Sequence, residues 1–419
     1  MRIALVHYRY FPGDGPERYF FNIKEILEKN GHTTAPFSIR NSRNLDAGEY
    51  ERFFLDSVDD EVHYGDKTSL SPAKALRSVS RMFWSGEARR KFGEFLDAFR
   101  PDVVYIMQYH NKISPSILGA ARRRGIPVVH RISDFQYVCP NALLFTRGHI
   151  CEECLSGNPL ACVRNRCVHG STVMSAMKLG AKKLHDALHI TDRIDAFVVP
   201  SEFTIGKLRQ YGIPADRLHH IPTFYNGPRG DAADSATSGE PYFLYIGRIA
   251  EQKGMWTLIK SFAQSRLPLK VIGTSADDLE KQLKQYLAGR DHRIEFLGFM
   301  TFDRMVPWLR GCVATVVPSE WYDNFPNSIL ESFAFGKPVI ASRLGSLLET
   351  VEHGVTGLTF TPGDPDALTE AASTLLADPA LTASTGANAG SRIDTVYSPD
   401  AHYSQLIDLF QSLISRKKQ

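Results

Sequence analysis

Residues 318–342 read PSEWYDNFPNSILESFAFGKPVIAS. The apolar run just before them, Ala314 to Val317, has the length and makeup of a buried strand. A polar turn with Asp323, Asn324 and Pro326 follows; Ile329, Leu330, Phe333 and Ala334 then recur at helical spacing before a second strand over Pro338 to Ala341. Strand, loop, helix, strand is the repeating unit of an open parallel sheet. In such sheets ligands bind beyond the carboxyl ends of the strands, where a helix N-terminus offers free backbone N–H groups to an anion. Asp323 and Glu331 flank this helix start.

The same alternation extends outward. Strands are expected over Tyr242–Ile246, Leu269–Ile272, Ile294–Leu297, Val339–Ala341 and Leu358–Phe360. A first half repeats it with Ile3–Val6, Val103–Met107, Val128–Ile132 and Ala196–Pro200, and with a helix from about Pro16 striped by Tyr19, Phe20, Ile23, Ile26 and Leu27. Asp14 and Glu17 supply that helix's start signal. An amphipathic stretch, Ala73 to Phe95, is interrupted at Ser85-Gly86 and reads as helix packed on the domain rather than lying on a membrane. The fold class is therefore α/β, two doubly wound parallel-sheet halves facing a cleft. Residues 1–225 form the first unit, a breaker-rich segment at 226–240 the linker, 241–400 the second unit, and 401–419 a helix that crosses back.

The length of 419 residues suits two or three domains, and 43% hydrophobic with 23% charged residues is ordinary for a globular chain. Charge is uneven: residues 1–230 carry 32 Lys+Arg against 24 Asp+Glu, net +8, and the rest 17 against 22, net −5. Basic clusters such as Arg122-Arg123-Arg124 and Lys178/Lys182/Lys183 are either solvated helix faces or points of attraction to phosphate or an anionic membrane. No interleaving of basic and aromatic residues points to nucleic acid. No run approaches the ~18 apolar residues a spanning helix needs, so a cytoplasmic protein is expected, at most peripheral at the inner membrane face.

After the strand at Tyr242–Ile246 comes Gly247-Arg248-Ile249-Ala250-Glu251-Gln252-Lys253-Gly254. Two cations and two glycines at a strand-to-helix turn suit a diphosphate, although a surface turn uses the same residues. Asp323 and Glu331, at another strand end of the same sheet, are placed to accept hydrogen bonds from sugar or ribose hydroxyls. Gly13 and Gly15, before the first helix, let backbone approach an anion from the other half.

These motifs, with Gly336-Lys337-Pro338, Gly345 and Glu349, resemble the group 1 retaining glycosyltransferases of the GT-B fold, over nearly the whole chain. The resemblance implies transfer of a sugar from a nucleotide-sugar donor to a sugar or lipid-linked acceptor, with no cofactor required for catalysis. It implies that Arg248 and Lys253 bind the donor diphosphate together with Gly247, and that Asp323 contacts the donor sugar. Asn324, Phe325 and Asn327 would add loop contacts, Glu331 would hold the ribose, and Gly13 and Gly15 would face the diphosphate. Two positions depart from the pattern. The first acid is Asp323 rather than Glu, and Ser133-Asp134-Phe135 stands where relatives carry His-Asp-Tyr. His110, at the preceding strand end, is the candidate replacement. Cys139, Cys151, Cys154, Cys162 and Cys167 fall in one insertion, 139–170. The spacing of Cys151, Cys154, Cys162 and Cys167 fits structural zinc, with free thiols and disulfides as the alternatives.

Overall fold

The computed structural model describes residues 1–13, 15–58, 72–230 and 240–418. Asp14 and residues 231–239 of the expected linker lie outside them. The first sheet has β1 (Arg2–Val6), β2 (Thr33–Phe37), β3 (Val103–Ile106) and β4 (Val128–Arg131), then, after a hairpin of β5 (Phe145–Thr146) and β6 (His149–Ile150), β7 (Ala196–Val199) and β8 (Leu218–His220). Its helices are α1 (Gly15–Lys29), α2 (Pro72–Phe83), α3 (Gly86–Phe99), α4 (Ser116–Arg122), α5 (Ala161–Arg164), α6 (Thr172–Ala187) and α7 (Glu202–Tyr211). The second sheet has β9 (Phe243–Ile246), β10 (Leu269–Ile272), β11 (Ile294–Gly298), β12 (Thr315–Val317), β13 (Val339–Ser342) and β14 (Gly357–Phe360). Around it lie α8 (Met255–Ser265), α9 (Leu279–Leu287), α10 (Phe302–Gly311), α11 (Asn327–Ala334), α12 (Leu347–Thr350), α13 (Pro365–Ala377) and α14 (Pro379–Thr395), and α15 (Pro399–Lys418) ends the chain.

Both sheets are parallel, ordered β2-β1-β3-β4-β7-β8 and β11-β10-β9-β12-β13-β14. Winding reverses between β1 and β3 in one and between β9 and β12 in the other. Such switch points open a crevice at the carboxyl edge. Strand side chains alternate between the two faces, so Ala4 and Val6 enter one core and Ile3 and Leu5 the other. The stripe Leu406, Phe410 and Leu413 of α15 is buried in the core with Ile3 and Leu5, each side chain stabilising that packing by roughly 1.5–3 kcal/mol. The C-terminal helix thus belongs to the first sheet's core.

The stretch 73–95 is two helices because Ser85 adopts extended backbone and its Oγ accepts from Ala88 N at 3.2 Å, a cap that starts α3. Met82 is buried and Trp84 packs on the core, so the apolar side of this stretch faces the domain.

Candidate active site

The turn after β9 is pinned against the end of β12. Gly254 has φ +69°, and a Cβ there would lie 1.8 Å from the carbonyl oxygen of Pro318. Only glycine allows this approach, which sets Lys253 beside the loop of residues 318–323. Its Nζ donates to both Asp323 carboxylate oxygens, at 2.9 and 2.7 Å, and Ser319 Oγ donates to Asp323 at 2.7 Å. Asp323 is buried, so its negative charge is held by these donors rather than by water. Arg248 is exposed and makes no ion pair or side-chain hydrogen bond among the described residues. Its carbonyl accepts from Tyr245 Oη at 2.7 Å; burial raises the pKa of that phenol, Asp323 raises it further and Arg248 opposes.

Across the crevice, the N-termini of α1 and α11 meet. A Cβ on Gly15 would lie 2.7 Å from Asn327 Nδ2, and Arg18 of α1 forms a 2.6 Å ion pair with the buried Glu331 of α11. Pro326 precedes α11 with no side-chain cap, leaving its first N–H groups for other acceptors. Gly13 lies against Glu17, which pairs with Arg9 at 3.3 Å.

The two halves are clamped beside this crevice. Glu349 accepts from the backbone N–H of Glu202 at 2.8 Å and of Phe203, at the start of α7, where a carboxylate complements the helix dipole. Asn324 accepts from Thr204 Oγ1 and donates to Ile132 O, both at 3.1 Å. Tyr322 packs on Phe203, with ring centroids 4.6 Å apart. Phe325 lies against Tyr397, with ring centroids 5.8 Å apart.

Residues 14–223, about half the chain, match the glycosyl transferase 4-like domain, and residues 240–378 match the glycosyl transferases group 1 family. The chain belongs to the group 1 glycosyltransferase family. An uncharacterized glycosyltransferase of Methanocaldococcus jannaschii is 31% identical over 143 residues, 33% of this chain and 36% of that protein. The matched stretch therefore spans only about a third of that relative. Among solved structures, sucrose-phosphate synthase from Thermosynechococcus elongatus aligns at TM-score 0.71 and 21% identity over 99% of both chains. The Anabaena HepE protein in complex with UDP-glucose aligns at TM-score 0.65 and 18% identity, over 98% of this chain and all of that one. These likenesses give the group 1 chain the GT-B fold.

In this group 1 glycosyltransferase, Gly247, Arg248, Lys253, Asp323, Asn324, Asn327 and Glu331 come to one sheet edge, and Gly15 opposes them. His110 lies on the first-domain side: its ring stacks on Tyr109 at 4.0 Å and lies near His130 and Tyr137. Burial holds its pKa well below the ordinary value, keeping the imidazole neutral. Ser133 accepts from Arg131 at 2.8 Å, and half-buried Asp134 accepts from Gln136 N and Nε2 at 2.9 and 2.7 Å. Arg18 and the bridging role of Glu349 went unread in the sequence, because their partners lie in the other half of the chain.

No disulfide joins any of the six cysteines. Burial and neighbouring cysteines push Cys154 up to about 11 and Cys162 up to about 12. Among the described residues no three or more His, Cys, Asp or Glu side chains are grouped as metal ligands, so Cys151, Cys154, Cys162 and Cys167 do not form a ready cage. No helix among the described residues is long and apolar enough to cross a membrane.

Proposed function

We propose that the chain transfers a sugar from a nucleoside diphosphate sugar to an acceptor hydroxyl with retention at the anomeric carbon, in synthesis of a cell-surface polysaccharide or glycoconjugate. The observation that carries this reading is the placement of Lys253 and Asp323 in contact at the β9/β12 switch point, with Arg248 exposed and unpaired beside them. The UDP-glucose complex of the similar HepE fold supports the donor class.

In this reading the diphosphate docks on Arg248, whose fork matches phosphate oxygens, and draws Lys253 away from Asp323. Asp323, still held by Ser319, then accepts from hydroxyls of the donor sugar. Glu331 exchanges Arg18 for the ribose hydroxyls. As the glycosidic bond to the leaving phosphate breaks, the two cations take up the charge that develops on the nucleoside diphosphate. The nucleotide sugar is a substrate, and no step uses a metal or other cofactor. The basic first half, net +8 over residues 1–230, suits work at an anionic membrane surface.

A panel of nucleotide sugars tests this by thermal shift and turnover. One donor is expected to raise Tm and to be consumed faster when acceptor is added, with the product anomer read by NMR. Turnover without any acceptor-dependent product contradicts transfer. Structural zinc rests on cysteine spacing alone; metal analysis of freshly purified protein should find about one equivalent, and less than about a tenth overturns it.

A further inference from the structure

The first domain holds a polar cavity that the donor site does not use. It is lined by His110, Asn111, Gln136, Lys178, Lys182 and His185, with Tyr211 and Asp186 at its wall. It offers about 50 Å³ to the centres of water-sized molecules, room for a few waters or one compact group rather than a whole sugar. Lys178, Lys182, His185 and Asp186 lie on α6 at helical spacing, so one face of that helix forms the wall.

Most of the polar groups here already have partners. Lys182 pairs with Asp186 at 3.0 Å and donates to Tyr211 Oη at 3.2 Å; His185 Nε2 donates to Phe83 O at 3.0 Å. Asn111 donates to Gln136 Oε1 at 3.3 Å, and Gln136 donates to Asp134. The side chains of Lys178 and His110 are the exceptions, with no hydrogen bond or ion pair among the described residues. Burial, with Lys112 adding like charge and Asp134 opposing, brings the ammonium of Lys178 down to about 8. A partly buried cation without a paired anion is stabilised by any anion that enters.

The cavity adjoins the cleft. His110 follows β3, Asp134 and Gln136 follow β4, and the Ile132 carbonyl at the end of β4 accepts from Asn324 of the candidate donor loop. We propose that this cavity seats a compact anionic group, phosphate or carboxylate, carried by the acceptor close to the hydroxyl that is glycosylated. Lys178 supplies the charge, and His110 and Lys182 supply further donors. The proposal rests on the transferase reading, because it assigns the anion to the acceptor.

The test titrates the full chain with glucose, glucuronate and glucose 6-phosphate, in wild type and in Lys178→Met, Lys178→Arg and Arg248→Ala. At least one anionic sugar should bind wild type and Arg248→Ala alike, and at least ~10-fold more tightly than glucose. Lys178→Met should lose that preference, while Lys178→Arg should keep it within a few-fold. Glucuronate and glucose 6-phosphate separate a carboxylate acceptor from a phosphorylated one. Equal binding of all three sugars, or an unchanged preference in a folded Lys178→Met, overturns the proposal. Donor binding by thermal shift across the nucleotide-sugar panel is measured in parallel: its absence in wild type strikes the transferase reading, whereas the Lys178 contrast decides the cavity independently.

Discussion

The carboxyl edges of the two sheets use the same topology in different ways. At the second edge, cation and acid meet as direct pairs, Lys253 with Asp323 and Arg18 with Glu331. At the first edge the chemistry is set by burial. His110 and His130 are held neutral, Asp134 has a raised pKa, and Lys178 is poised near 8. The first arrangement suits exchange of one ionic partner for a ligand of fixed charge. The second suits binding a single charged group in otherwise neutral surroundings.

Removing cations at the second edge should have the largest effect. Lys253→Ala and Arg248→Ala are each expected to lower kcat by ~100-fold or more, about 3 kcal/mol of transition-state stabilisation, in steady-state assays with the best donor. Near-normal turnover in both variants would mean that the second edge is not where charge develops, and the contrast between the edges would fall.

Gly254→Ala comes next. With a Cβ 1.8 Å from Pro318 O and a φ of +69°, the turn must shift, costing roughly 1–3 kcal/mol of stability in a urea melt and displacing Lys253. A variant as stable and active as wild type would show that the turn is not pinned. Glu349→Ala removes an acceptor shared by two backbone N–H groups across the halves. A loss of about 1 kcal/mol is expected, with a rise in KM from a looser cleft.

The first edge predicts a pH-dependent effect. Burial lowers His7 to about 4 and His130 and His402 to about 3, so the folded chain refuses protons that the unfolded chain accepts near 6.5. Their contribution is complete above about 6.5 and is lost progressively as pH falls toward those folded values. The urea midpoint should therefore drop between pH 6.5 and 4.5; a flat profile would show that these rings are not held neutral by the fold.

The contrast also explains what was legible in the sequence. The second edge is written in two short segments, 247–254 and 318–331, and turn glycines, apolar runs and helical spacing expose both. Strand β2, Thr33–Phe37, went unread because threonines and a proline interrupt its apolar pattern, and its pairing with β1 is a tertiary matter. The first edge gathers His110 after β3, Gln136 after β4 and Lys178 from α6, residues far apart in sequence with no common motif. Lys178 reads there as one more basic residue on a helix, and only the packing of α6 shows that it faces a cavity. The clamp of Glu349 on α7 was hidden for the same reason.

Calorimetric titration of nucleoside diphosphates into wild type, Arg248→Ala and Lys253→Ala tests the central claim most directly. At least one base should bind wild type, and each substitution should weaken it by ~10–100-fold, the loss of a charge-assisted contact worth roughly 1.5–3 kcal/mol. Unchanged affinity in both folded variants would contradict the assignment of the β9/β12 switch point as the donor diphosphate site.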